Sequence, residues 1–186
     1  MSEDAASSEE LLTRAMSGDT AAFTALVRGR QRSVYSLALR MLCDRQKAED
    51  LAQEVFLQLH RNLASIESAT HLAFWLRKVT VNRAIDRLRR EPKMEVLPLE
   101  AADTEADGLD DSDPLLVRRL RQLVNQLPPA PRAVVLLRYQ EDLDPTDIAR
   151  TLSMSINTVK SHLKRSLALL RKGIDVVTAD AVRSRT

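Results

Sequence analysis

One cysteine, Cys43, is all the chain carries, which excludes an intramolecular disulfide and any zinc module built on several cysteines. A small buried apolar side chain is the plain reading of that residue. Aromatics make up 3% of the sequence and glycines number four, while Ala, Leu, Arg, Glu and Gln dominate; this disfavours a sheet-rich fold and favours helix. No apolar run approaches the roughly 18–20 residues of a membrane span. The opening MSEDAASSEE is acidic and polar, unlike a secretory leader, so a cytoplasmic protein with no membrane contact of its own is expected. His60, His71 and His162 lack metal-ligand spacing, no Gly-rich phosphate loop exists, and no Ser or Cys has a partnered base in a motif. No enzyme activity, metal or cofactor is therefore expected.

What is present is charge, and it is unevenly placed. The formal net charge of +2 hides two basic blocks around an acidic one. Residues 71–90 hold six cations (Arg77, Lys78, Arg83, Arg87, Arg89, Arg90) against Asp86. Residues 114–172 hold eleven Lys or Arg against four acids, whereas residues 91–113 hold nine acids and only Lys93. That middle segment contains Pro92 and Pro98 and no sustained apolar period, so it reads as a flexible acidic linker unable to bury enough surface to offset its ordering entropy.

Helical periodicity organises the rest. Ser8 is expected to open a first helix and Gly18 to close it; Asp19 and Asp44 then cap two longer helices. Residues 65–70 read as a loop, followed by a helix from about His71 to Arg90. Beyond the linker, Asp113-Pro114 restarts helix, Leu127-Pro128-Pro129-Ala130-Pro131 forms an elbow, and a short apolar helix spans Arg132–Tyr139. Residues after Gly173 read as a frayed tail. The expected class is all-α, as two small helical domains: 1–90, linker 91–113, second domain 114–174 and tail 175–186.

Residues 144–172 carry the sharpest signal. Asp144 and Pro145 suit an N-cap and first helical position, and Ile148, Ala149 and Leu152 give that short helix an apolar face. Ser153-Met154-Ser155 interrupts the pattern, Ser153 standing where a left-handed backbone usually asks for Gly. In the next helix Ile156, Val159, Leu163, Leu167 and Leu170 fall on one side. Asn157, Thr158, Ser161, Lys164 and Arg165 collect on the other, as short hydrogen-bonding groups and cations suited to base edges and phosphates in a major groove. This is a helix-turn-helix with the second helix as reader, although a solvated face would account for Lys164 and Arg165 taken alone.

Two features of the first half narrow the choice. Asp50, Gln53, Glu54 and Leu57 recur at three and four, a polar stripe beside the apolar one that composition alone reads as a solvated face. The run from Phe74 to Arg90 sets the only tryptophan, Trp75, among cations, as single-stranded nucleic acid binding asks; a core position for Trp75 is the other reading.

The order AEDLAQEVF, FWLRKVTVNRAIDRLRR, LPPAPRAVVLLR and DIARTLSMSINTVKSHLKR resembles the extracytoplasmic-function (ECF) group of the sigma-70 family, over about residues 10–172. The resemblance implies sigma region two in 1–90, binding core polymerase and the −10 element, and sigma region four in 114–174, binding the −35 element. It implies core RNA polymerase (β′ and β subunits), promoter DNA and an anti-sigma factor as partners. Asp50, Gln53, Glu54 and Leu57 match the helix that docks on the β′ clamp. His71, Trp75, Arg77, Asn82, Arg83 and Arg87 match the segment capturing the −10 strand, where a base is flipped into a pocket. Arg138, Ser155, Asn157, Thr158, Lys160, Ser161, Lys164 and Arg165 match −35 positions. Asn157 stands where Gly is frequent in the family and His162 where Arg is. The family's connector threads toward the RNA exit path, where nine acids would imitate RNA's charge. The function implied is an alternative sigma factor directing transcription initiation; the other reading is a two-domain helix-turn-helix regulator that does not bind core polymerase.

Overall fold

The computed structural model describes residues 2–90 and 114–183, with side chains over 8–90 and 114–174. The segment read as an acidic linker, 91–113, lies outside the described residues. Eight α-helices and one 3₁₀ turn account for the regular structure among those described, with no strand. The chain divides into two compact units, Met1–Leu88 and Arg89–Thr186.

In the first unit, α1 (Ser2–Met16), α2 (Thr20–Leu42), α3 (Arg45–Asn62), the 3₁₀ turn Leu63–Ser65 and α4 (Ala69–Arg90) follow one another. Their boundaries are set locally. Gly18 takes φ +95 after α1, a conformation open to glycine at little cost. The Asp19 carboxylate then accepts from the Ala21 and Ala22 N–H groups at 2.9 and 3.0 Å and starts α2. Asp44 does the same for α3, accepting from Lys47 N–H at 3.1 Å. Two boundaries depart from expectation. Helix α1 begins at Ser2 rather than Ser8. Helix α4 begins at Ala69 rather than near His71, because Ser68 and a distant carboxylate supply acceptors for its first N–H groups: His71 N–H donates to Ser68 Oγ (3.0 Å) and Ala69 N–H to Glu9 Oε2 of α1 (2.8 Å).

The core of this unit is aliphatic. Leu12, Leu26, Leu37, Ala38, Met41, Ala48, Leu51, Val55, Leu59, Ile66, Leu72, Leu76, Val81, Ala84 and Ile85 are buried, with α2 packed on α1 and α3. Helix α2 runs unbroken through Gly29. Phe23 is half-buried and meets the His60 ring edge-on at 5.1 Å.

The second unit comprises α5 (Pro114–Gln126), α6 (Pro129–Tyr139), α7 (Pro145–Leu152) and α8 (Ile156–Arg183). The proline elbow is shorter than expected because Pro129 and Pro131 occupy the first turn of α6, where an N–H has no intrahelical acceptor to lose. Arg132 N–H makes the first turn's closing bond to Pro128 C=O at 2.9 Å. Its buried guanidinium donates to the Asn125 and Leu127 carbonyls, tying α6 to the end of α5. Helix α8 packs on α5, α6 and α7. It continues through Gly173 to Arg183, where a frayed tail was expected.

Candidate nucleic-acid interface

Serines rather than glycine bound the turn between α7 and α8, and a carboxylate starts the helix before it. Asp144 caps α7 by accepting from the Thr146 and Asp147 N–H groups at 2.7 and 2.8 Å. Ser153 closes α7 with φ 52 and ψ 44, the left-handed conformation anticipated at that position. Ser155 Oγ accepts from Thr158 N–H at 3.1 Å and lies 2.8 Å from Thr158 Oγ1, so it caps α8 as Ser does. Ser155 and Thr158, both expected at the DNA, thus already engage one another.

Once α8 is seated, its faces separate. Val159, Ser166 and Leu170 are buried and Leu163 and Leu167 half-buried, while Asn157, Thr158, Lys160, Ser161, Lys164 and Arg165 are exposed. Ile156, assigned to the inward stripe, is exposed at the first position of the helix. Ser166, not assigned to the core, is buried. Arg138 stands apart from this row: at the end of α6 it donates to Leu143 C=O at 3.1 Å and lies 3.7 Å from Asp142, holding the loop that enters α7.

In the first unit the candidate residues divide by helix face. At roughly 100° per residue, His71, Trp75 and Asn82 share one side of α4, Arg83 and Arg87 another, and Arg77 a third. Trp75 is half-buried, between the two readings its sequence position allowed. Beside it, Lys78 Nζ stands 5.8 Å from the Phe74 ring centroid. His71 Nδ1 accepts the Glu67 N–H at 3.2 Å, fixing the ring against the loop.

Arg83 and Arg87 turn toward α3. Glu54 Oε2 lies 3.0 Å from Arg83 Nη1, and Glu54 Oε1 lies 2.7 Å from Arg87 Nη2. Arg83 Nε also donates to Gln58 Oε1 at 2.9 Å, and Arg87 Nη1 to the Lys47 carbonyl at 3.1 Å. The α3 stripe is thereby split. Asp50, Gln53 and Leu57 remain exposed, Leu57 at 59%, while Glu54 forms the edge facing α4. Residue spacing gave no sign of the Gln58 and Lys47 contributions, because their partners lie on another helix.

Among the described residues no group of three or more His, Cys, Asp or Glu is placed to hold a metal, and no helix is long and apolar enough to cross a membrane.

Residues 26–93 match the family described as Sigma-70 region 2, and residues 117–170 that described as Sigma-70, region 4. The ECF RNA polymerase sigma factor SigW of Bacillus subtilis (strain 168) is 32% identical over 168 residues, covering 83% of this chain and 90% of the relative. The RNA polymerase sigma-H factor of Pseudomonas aeruginosa is 28% identical over 186 residues, covering 93% of this chain and 96% of the relative. Among solved structures, CnrH in complex with the cytosolic domain of CnrY has the same fold, with a TM-score of 0.67, 19% identity and coverage of 91% of this chain and 98% of that one. Both sigma-70 regions occur in order within a likeness that spans most of the chain and of its curated relative, and the chain belongs to the ECF group of the sigma-70 family, the alternative sigma factors.

Proposed function

We propose that this sigma factor brings core RNA polymerase to promoters through three surfaces and performs no catalysis of its own. Asp50, Gln53 and Leu57 on α3 dock on the polymerase β′ subunit, carboxylate and apolar groups against a basic partner. The His71, Trp75 and Asn82 side of α4 takes the −10 strand, the half-buried indole offering a stacking face. The exposed row Asn157, Thr158, Lys160, Ser161, Lys164 and Arg165 on α8 reads the −35 element in the major groove, with Arg138 shaping the approach.

The observation that carries this reading is the seating of α8. Its apolar side is buried on the second unit while an unbroken polar and cationic row stays exposed beside a capped helix-turn-helix. A first unit bearing Asp50, Gln53 and Leu57 outward supports polymerase docking over a plain operator-binding regulator. Solved relatives of this fold include RpoE of Bartonella quintana in complex with the anti-sigma factor NepR, and an anti-sigma protein is a further partner of this chain in the cytosol.

Run-off transcription with purified core polymerase and a promoter library tests the proposal. Discrete start sites that depend on this protein are expected. DNA binding without any directed initiation would leave the operator-binding regulator as the better description.

A further inference from the structure

A single carboxylate between two guanidiniums joins α3 to α4, and its position at the edge of the docking stripe gives it two roles. Glu54 is 45% exposed, Arg83 43% and Arg87 25%. Each arginine has a further anchor on α3, Gln58 for Arg83 and the Lys47 carbonyl for Arg87. While Glu54 is shared, an approaching nucleic acid strand meets one net positive charge in this cluster instead of two, and both guanidinium forks point at α3. A partner covering Asp50, Gln53 and Leu57 reaches the Glu54 carboxylate from its open side. Exposed ion pairs of this kind exchange partners readily, since little of their interaction survives in high dielectric.

We propose that Glu54 holds Arg83 and Arg87 against α3 in the free protein, and that the two guanidiniums pass to phosphates of single-stranded promoter DNA when a basic surface of core polymerase takes the carboxylate. The inference rests on the function proposed above and goes beyond it by coupling the two contacts. Glu54 is then a positioning residue whose partner depends on assembly state. Arg83, the more exposed of the pair and with a side-chain amide as its other partner, transfers first; Arg87 keeps its backbone anchor longer. Coupling of this kind is reciprocal: strand binding at Arg83 and Arg87 also frees Glu54 for polymerase.

The test compares full-length proteins, free and reconstituted with core polymerase, using fluorescence anisotropy of a labelled single-stranded −10 oligonucleotide across a salt series. In the free state E54Q is expected to bind about three- to tenfold more tightly than the natural protein, with a salt slope steeper by about 0.7 for each guanidinium released. Adding core should tighten the natural protein more than E54Q. Replacing Arg83 by Ala in the E54Q background should remove most of the gain. E49Q deletes one carboxylate from the same exposed helix without touching either arginine, and separates release of the guanidiniums from net charge. An equal gain in E49Q, or no gain in a folded E54Q, overturns the proposal. If E54Q does not fold, E54D keeps the charge but is too short to span both arginines; a gain of about twofold is expected, and none overturns the idea. The natural protein assayed with core for directed transcription reports separately on the underlying function, so the two failures are distinguishable.

Discussion

Gly173 on α8 lies directly beneath Leu123 on α5: a Cβ at position 173 would stand 2.5 Å from Leu123 Cδ2, 2.8 Å from Cδ1 and 3.2 Å from Cγ. Leu123 packs with Val124 against the buried set Leu127, Val135 and Leu170, so this close approach sets how α5 sits on α8.

The glycine carries a cost and a benefit that can be separated. In a helix interior Ala is better than Gly by about 1 kcal/mol, while forcing a methyl into this contact costs about 1–3 kcal/mol. G173A is therefore expected to destabilise the second unit in the natural background and to stabilise it by about 1 kcal/mol when Leu123 is already Ala. A double-mutant cycle followed by chemical denaturation checks this. The same sign of effect in both backgrounds would show that Leu123 does not set the requirement for glycine.

The pattern of what could be read in advance follows the range of each interaction. Asp19, Asp44 and Asp144 were legible because a cap acts on N–H groups two or three residues away, and the left-handed Ser153 because a turn between two periodic helices requires it. Gly173 was misread as a helix end because glycine marks ends and close approaches alike; only the position of Leu123 tells them apart. Glu9 at the start of α4 could not be foreseen, since its partner Ala69 is sixty residues away. For the same reason Glu54, Arg83 and Arg87 were assigned to two separate surfaces before the seam between α3 and α4 joined them.

At the left-handed Ser153, glycine should be the better residue. A non-glycine side chain in this conformation costs about 1–2 kcal/mol, and the Ser153 contact that closes α7 is made by its backbone N–H to the Ala149 and Arg150 carbonyls. S153G is expected to raise the stability of the second unit by about 0.5–1 kcal/mol without changing affinity for −35 duplex. Thermal melting paired with DNA titration reports both; a loss of stability would mean that the serine side chain contributes something its geometry does not reveal.

Asp19 predicts a pH dependence. Its carboxyl is held below its ordinary value of 3.8 chiefly by the Ala22 N–H, then by the Arg14 guanidinium; the same hydrogen bond raises Arg14 above its own. A depressed folded value means that the contribution of Asp19 to stability is complete above the ordinary carboxylate range and is lost as pH falls through the lowered folded value. The raised Arg14 loses its contribution only in strong alkali, so it stays constant over the acid range. The melting-temperature difference between the natural protein and D19N should therefore be constant from pH 7 to about 5 and shrink below about 4. A difference unchanged down to pH 2 would show that the charge on Asp19 is not what D19N removes.

The exposed row on α8 makes different demands of its charged and neutral members. Lys164 and Arg165 can neutralise phosphates, which have the same charge at every sequence, so K164A and R165A should weaken binding to matched and mismatched −35 duplexes alike. Each should also flatten the dependence of log affinity on log salt by about 0.9. Asn157 and Ser161 carry no charge, and their use at base edges should appear as discrimination: about 1–3 kcal/mol lost between matched and mismatched sites, with the salt slope unchanged. Anisotropy titrations on duplexes differing at single −35 positions, each at several salt concentrations, separate the two signatures. If N157A instead weakened all duplexes equally, its role would be to support the first turn of α8, where Ser155 and Thr158 already bond to each other, and base reading would fall to Ser161 and the cations alone.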